Sequence, residues 1–368
     1  MRGHEMSPSP LSAGNRPFSP DFPHPKPTNA SFLEAALGQK TPRPPVWIMR
    51  QAGRYLAEYK RVRNLFPSFL DFCRSPEHVA EVTIQPVNLI GVDAAILFSD
   101  ILVLLPPMGV DLSFIEGRGP VVGKPVRDAA VVRDMPRGDL NAELAYVFEG
   151  IRLTKRELAG AVPLIGFAGG PFTVASYMVE GGGSKELAKL KALMFQAPET
   201  FAELLGKVAE ITGHYLIEQI RNGCDAVTLM DSWAGFLSPE DYWQYVMPHT
   251  RLVIEAVKKA YPMTPFIHYA NGAPTLLPAF AELGTDVIGL DWRMDLKDAF
   301  KAYPDRVFQG NLDPCRLYAP IPDLVAKVKA MKTLIGDRPH IYNLGHGILP
   351  DVSPDHARAF VQAVHGDL

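Results

Sequence analysis

Eight short apolar runs punctuate the chain: 45–49 (PVWIM), 93–98 (DAAILF), 162–167 (VPLIGF), 225–230 (DAVTLM), 265–269 (PFIHY), 286–290 (DVIGL), 306–310 (RVFQG) and 340–344 (HIYNL). Each is about the length of a strand and is apolar almost throughout. That pattern marks strands buried on both faces. Nearly every gap between them carries a helical pattern. Ser75 with Pro76, and Ser238 with Pro239, open two such stretches as an N-cap and a first-turn proline do. TLLPAFAELG and DLVAKVKAMKTLIG end in glycine, as helices often do. Eight strands alternating with helices predict a single closed (β/α)8 barrel of the TIM type, with a doubly wound sheet as the competing count. The segment 101–160 is too long for a plain crossover and rich in Gly and Pro. It reads as an irregular excursion or hairpin over the top of the barrel.

Composition narrows the classes. The 368 residues carry a net charge of -3 and are 47% hydrophobic, a soluble profile with no global nucleic-acid signature. No apolar run reaches the length of a membrane span, so no stable membrane association is expected. Cys73, Cys224 and Cys315 are scattered, which fits a reducing compartment and not a disulfide framework. Residues 1–27 are rich in Pro, Ser and His and lack a signal core. They are expected to be a flexible tail ahead of one catalytic domain spanning 28–368.

In a barrel of this kind the chemistry sits in the loops after the strands. Those loops hold Arg50 and Arg54, Ser99 and Asp100, AGGPFTVASYMVEGGG, DSWAG, ANG, DW, NLDP and GHGILP. Taken singly, each has a bland reading: Asp and Asn cap helices, and Gly makes turns. Their convergence on one mouth argues for a site without naming its chemistry. Known fingerprints are missing. There is no HExxH, GxGxxG, P-loop or GxSxG elbow, so nothing supports a metal, nicotinamide or nucleotide mechanism.

Two long stretches do carry a family resemblance. PVWIMRQAGRYLAEY resembles the N-terminal signature of the uroporphyrinogen decarboxylase family, and IGFAGGPFTVASYMVEGGGS resembles its second signature. LFSDIL, MDSWAG and NLGHGILPD match in order and spacing, so the resemblance runs from about residue 40 to the C-terminus. It implies a (β/α)8 barrel and a cytoplasmic homodimer that works without a cofactor. The implied reaction removes the four acetate carboxyl groups of uroporphyrinogen III as carbon dioxide, giving coproporphyrinogen III in haem biosynthesis.

By resemblance, Arg50 and Arg54 meet substrate carboxylates, with Gln51 joining their loop. Asp100 receives the pyrrole N–H groups, while Tyr177, Ser232 and His346 contact substrate. The catalytic set so implied is Asp100, Arg50 and Tyr177. These residue types suit the chemistry. Protonating a pyrrole carbon turns the ring into an electron sink, and an anion beneath it stabilises the cation. Arginine is a strong carboxylate holder and a poor proton donor, so the donor stays open.

The chain departs from the family in reading Ala57 where RYLPEY has proline, and LVLLPPMG after FSDIL. Two rivals stand: a cobalamin-linked methyltransferase on a similar barrel, which would need a zinc-binding His/Cys set, and a non-catalytic tetrapyrrole carrier.

Overall fold

A computed structural model describes residues 26–115 and 117–368. The expected tail, 1–27, lies almost wholly outside them. Seven of the eight apolar runs form one parallel sheet. Its strands are β1 (Ala95–Ile96), β4 (Leu164–Gly169), β5 (Ala226–Asp231), β6 (Phe266–Ala270), β7 (Val287–Gly289), β8 (Val307–Gln309) and β9 (His340–Ile341), and they follow one another in that order. The sequential parallel order excludes the doubly wound alternative, whose strand order reverses at a switch point.

The eighth run, 45–49, makes only a single parallel bridge, Val46 to Tyr342. The reason lies in its donors. Pro44 and Pro45 have no N–H. Val46 N donates to Asp93 Oδ2, Ile48 N to Gln51 Oε1 and Met49 N to Asn343 Oδ1. Only Trp47 N reaches a neighbouring strand backbone, at Tyr342 O, 3.2 Å. On its other side, Asp93 N donates to Val46 O at 2.8 Å. The run therefore touches both β9 and the approach to β1, largely through side chains.

Alternation along the strands splits the core in two. Trp47, Met49, Ile96, Ile165, Ala226, Met230, Ile267, Tyr269, Val287, Val307 and Ile341 form an inner cluster, closed by Phe32, Ala35 and Ala36 from the helix Ser31–Ala36. Val46, Ile48, Leu97, Leu164, Val227, Leu229, Phe266, Ile288 and Phe308 face the surrounding helices. Both faces are buried, which is why the runs read as continuously apolar.

The excursion contains an antiparallel hairpin, β2 (Leu112–Ile115) with β3 (Gly119–Val122). It packs beside the end of the helix Pro171–Glu180, where Val122 N donates to Gly181 O. The same excursion also holds the helix Ala145–Leu158. Ala57 opens the helix Ala57–Arg63, a first position that takes Ala and Pro equally well. Among the described residues no helix is long and apolar enough to cross a membrane.

One recurring device was not read from the sequence. Pro45-Val46, Pro163-Leu164 and Pro265-Phe266 each begin a strand position, and the N–H of the second residue donates to Asp93, Asp225 or Asp286 at the start of the next strand. The device appears on three adjacent pairs around the sheet.

Candidate active site

The loops after the strands meet at one mouth, and Arg50 lies there beside the loop after β9. Its backbone is left-handed, with φ 64°. A non-glycine residue pays roughly 1–2 kcal/mol for that conformation. Gln51 enforces it from behind. Gln51 N donates to Ile48 O, its Oε1 accepts from Ile48 N and its Nε2 donates to Ala94 O at 3.0 Å. Gly53 allows the tight turn, because a Cβ there would lie 2.7 Å from Arg50 O. The Arg50 side chain then runs across Gly347, where a Cβ would sit 2.3 Å from Arg50 Cδ. Gly345 is equally constrained, by the Trp292 backbone N at 2.3 Å. Both glycines of the GHG stretch are thus required by close approach.

Gln51 lies behind the arginine loop. Its side chain is fully buried and its amide is used within the fold, so it braces the arginine loop and does not reach the cleft. Arg54 is exposed on the same loop, with its charge bearing on Tyr59.

Asp100 follows β1 and is half-buried. Oδ1 accepts from Leu102 N at 2.8 Å, and Oδ2 has no partner among the described residues. Burial pushes its pKa up to about 6, against the Leu102 hydrogen bond and the Arg50 charge, which both favour the ionised form.

Tyr177 sits on the helix Pro171–Glu180, which starts directly after β4. Gly170 makes that junction possible, since a Cβ there would fall 2.8 Å from the Asp231 carboxyl carbon. Tyr177 meets Trp233 edge-on, ring centroids 6.0 Å apart. Burial raises its pKa, so the phenol keeps its proton at neutral pH; Trp233 and the Arg50 charge oppose the rise and the Asp100 charge adds to it. Ser232, half-buried beside Trp233, has no hydrogen-bond partner among the described residues.

The loop carrying Ser232 and Trp233 is held by a buried relay. Thr173 Oγ1 donates to Asp231 Oδ1 at 2.6 Å and accepts from Trp233 N at 3.1 Å. Asp231 Oδ2 is buried with no partner, and burial pushes the Asp231 pKa up to about 6.

His346 lies in the loop after β9. The single Tyr269 hydroxyl proton has Gly345 O at 2.8 Å as its acceptor, so His346 Nδ1, 3.0 Å from the same oxygen, must be the donor. Burial, Arg50 and Arg293 lower the His346 pKa to about 4. At neutral pH the ring is therefore uncharged, with Nε2 as a hydrogen-bond acceptor.

The charge of Arg50 thus bears on Asp100, Tyr177, Tyr269 and His346 together. Sequence reading held Asp231 and Trp233 only as part of the DSWAG loop, and missed Tyr269 and Arg293. Each lies in or directly after an apolar run, and that position was the available signal. Among the described residues no three His, Cys, Asp or Glu side chains converge as a metal-binding group.

A one-directional parallel sheet with arginines, a carboxylate and neutral hydrogen-bonding groups gathered in the loops after its strands defines an α/β protein of the parallel-sheet class. The chain belongs to the uroporphyrinogen decarboxylase family, whose model matches residues 27–366. It is 50% identical over 339 residues to the uroporphyrinogen decarboxylase of Carboxydothermus hydrogenoformans, covering 92% of this chain and 96% of that protein. The protein of the same name from Trichlorobacter lovleyi is 49% identical, covering 92% and 98%. Among solved structures, a methyltransferase from Methanosarcina mazei superposes with a TM-score of 0.75 over 93% of this chain and 99% of that one. At 19% identity that likeness concerns the fold alone.

Proposed function

We propose that this chain is a uroporphyrinogen decarboxylase that removes the acetate carboxyl groups of uroporphyrinogen III without a cofactor. The observation that carries the reading is an Asp100 oxygen left without a protein partner, together with Arg50 held in a left-handed turn where its charge bears on that carboxylate. Arg50 and Arg54 hold substrate carboxylates through planar two-pronged donation. Asp100 Oδ2 accepts pyrrole N–H groups and, ionised, stabilises the ring when a proton adds to a pyrrole carbon. The C–C bond to the carboxylate then breaks, carbon dioxide leaves, and the electron pair forms an exocyclic C=C as the ring cation is neutralised. A proton adds to that methylene and the ring carbon gives up its proton. The net change replaces carboxylate by hydrogen and consumes one proton.

Tyr177, protonated, donates to the reacting carboxylate, and Ser232 offers a second hydroxyl. His346, neutral, accepts a substrate N–H or O–H at Nε2. On the same reading the 45–49 run is the eighth strand position that closes a (β/α)8 barrel over 28–368. The enzyme acts in the cytoplasm as a homodimer, with no nucleic-acid partner.

Carbon dioxide release from uroporphyrinogen, measured after exhaustive chelation, is the test. Release accompanied by coproporphyrinogen supports the proposal. Tight binding without release would leave a carrier. Activity lost on chelation and restored by one metal would overturn the cofactor-free mechanism.

A further inference from the structure

Arg293 lies in the loop after β7, next to Trp292. Its guanidinium carbon lies 3.9 Å from the centre of the Trp292 ring. Nη1 hangs over Gly272, where a Cβ would sit 4.0 Å away. The Trp292 ring in turn lies 6.3 Å from the His346 ring. The side chain is 47% exposed.

Its nearest acid does not consume it. Asp291 is buried, and its oxygens accept from Ala273 N at 3.0 Å and Arg293 N at 2.7 Å. The Arg293 guanidinium forms a long ion pair with Asp291 Oδ2, Nη1 at 3.6 Å, beyond hydrogen-bond distance. Among the described residues none of its guanidinium N–H groups makes a hydrogen bond. A planar cation stacked on an indole is held in place with its donor edge free. The His346 loop links the two arginines: Gly347 lies against the Arg50 side chain, and the His346 ring is 6.3 Å from the Trp292 ring on which Arg293 stacks.

We infer that Arg293 is a further substrate-binding residue, which grips a carboxylate of the tetrapyrrole other than the one reacting beside Asp100. The inference rests on the decarboxylase reading above. A macrocycle with carboxylates around its rim, lying on Asp100, presents negative charge across the mouth. Arg50 and Arg54 meet it from the loop after the 45–49 run and Arg293 from the loop after β7. The gripped group is an acetate or a propionate, both of which offer the same planar acceptor.

The test is steady-state decarboxylation by wild type, Arg293→Gln, Arg293→Lys and Arg293→Leu, over a range of ionic strength. Arg293→Gln should raise KM about 10-fold, the size of one charge-assisted hydrogen bond, and move kcat far less. Lys should recover part of that affinity. Leu covers Trp292 without charge and should behave like Gln. The salt dependence of KM should flatten in Gln and Leu, because one cationic contact is gone. Coproporphyrinogen, which keeps only propionates, separates the two sources: weaker binding of both ligands assigns a propionate, and weaker binding of uroporphyrinogen alone assigns an acetate. An unchanged KM in Arg293→Gln, or a wild-type KM in Arg293→Leu, would overturn the assignment. A wild-type protein that releases no carbon dioxide would instead break the underlying reading, so the two failures are distinct.

Discussion

At the N-terminal ends of the strands, Asp93, Asp225 and Asp286 each use Oδ2 twice. That oxygen accepts the N–H of Val46, Leu164 or Phe266 at 2.7–2.8 Å, and pairs with His365, Lys155 or Lys258 at 2.7–2.8 Å. At the C-terminal ends, Asp100 and Asp231 each have one oxygen without a protein partner, and burial pushes both up to about 6. The residue type is the same and the consequence is opposite. A buried carboxylate with a full set of donors ties neighbouring strands together. One left incompletely paired is held in a costly state, which is useful where a ligand completes it. The contrast runs between the two ends of one parallel sheet, with carboxylates fully paired where the strands begin and incompletely paired where they end.

The largest way to break the comparison is at the mouth. Arg50→Ala should abolish turnover while circular dichroism and the unfolding midpoint stay near wild type, because Arg50 spans open cleft and not core. Lysine should not fully rescue it, lacking the two-pronged donor plane. An Arg50→Ala enzyme with near-normal turnover would end the claim that this loop binds the reacting group.

Next in size is the opposite end. Lys155→Met removes the partner of Asp225 at a site where the lysine is 1% exposed. It should cost about 3–5 kcal/mol in denaturant unfolding, with kcat per folded molecule unchanged. A variant as stable as wild type would mean the paired aspartates do not carry the strand junctions.

Asp100→Asn comes third. It keeps the shape and some accepting capacity but loses the charge. Turnover should fall on the order of 10²-fold, about 2.7 kcal/mol of barrier, with coproporphyrinogen affinity retained. Asp100→Glu keeps the charge one methylene further out and should be partly active. Turnover by Asp100→Asn close to wild type would replace the electrostatic role with one of pocket shape.

The smallest effect is in pH. Asp100 is raised from 3.8 to about 6. The folded state therefore holds the extra proton over that window, and stability from this group is present below about pH 4 and lost as pH rises through about 6. Asp100→Asn should flatten that part of the stability profile. In the same range kcat/KM of wild type should decline below about pH 6, because the mechanism needs Asp100 ionised. A wild-type rate that is flat from pH 5 to 7 would contradict this.

How much could be read beforehand varies by residue. The seven sheet strands were legible because both faces of each are buried, so apolar content alone marks them. The 45–49 run was equally apolar yet makes one bridge, since its N–H groups go to Asp93, Gln51 and Asn343, far off or side-chain acceptors that periodicity does not show. Asp100, Arg50, Tyr177, Ser232 and His346 could be nominated because they follow apolar runs within long family-like stretches. Gln51 stood in the same stretch and turned inward, tied to Ala94 O. Arg293 follows a strand just as Asp100 does, but no motif singled it out.

By itself the sequence determined the order of strands and helices and the set of polar residues at each strand end, because those depend on local alternation and on neighbours along the chain. It also determined the glycines of GHG and of the AGG junction, though not their purpose. Only the tertiary structure decided which polar groups are satisfied. Gln51 meets Ala94, Asp231 meets Thr173, and His346 meets Tyr269, pairs separated by 43, 58 and 77 residues. A side chain's protonation and freedom to bind follow from its partners and its burial, and both are set by segments that become neighbours only when the sheet curls.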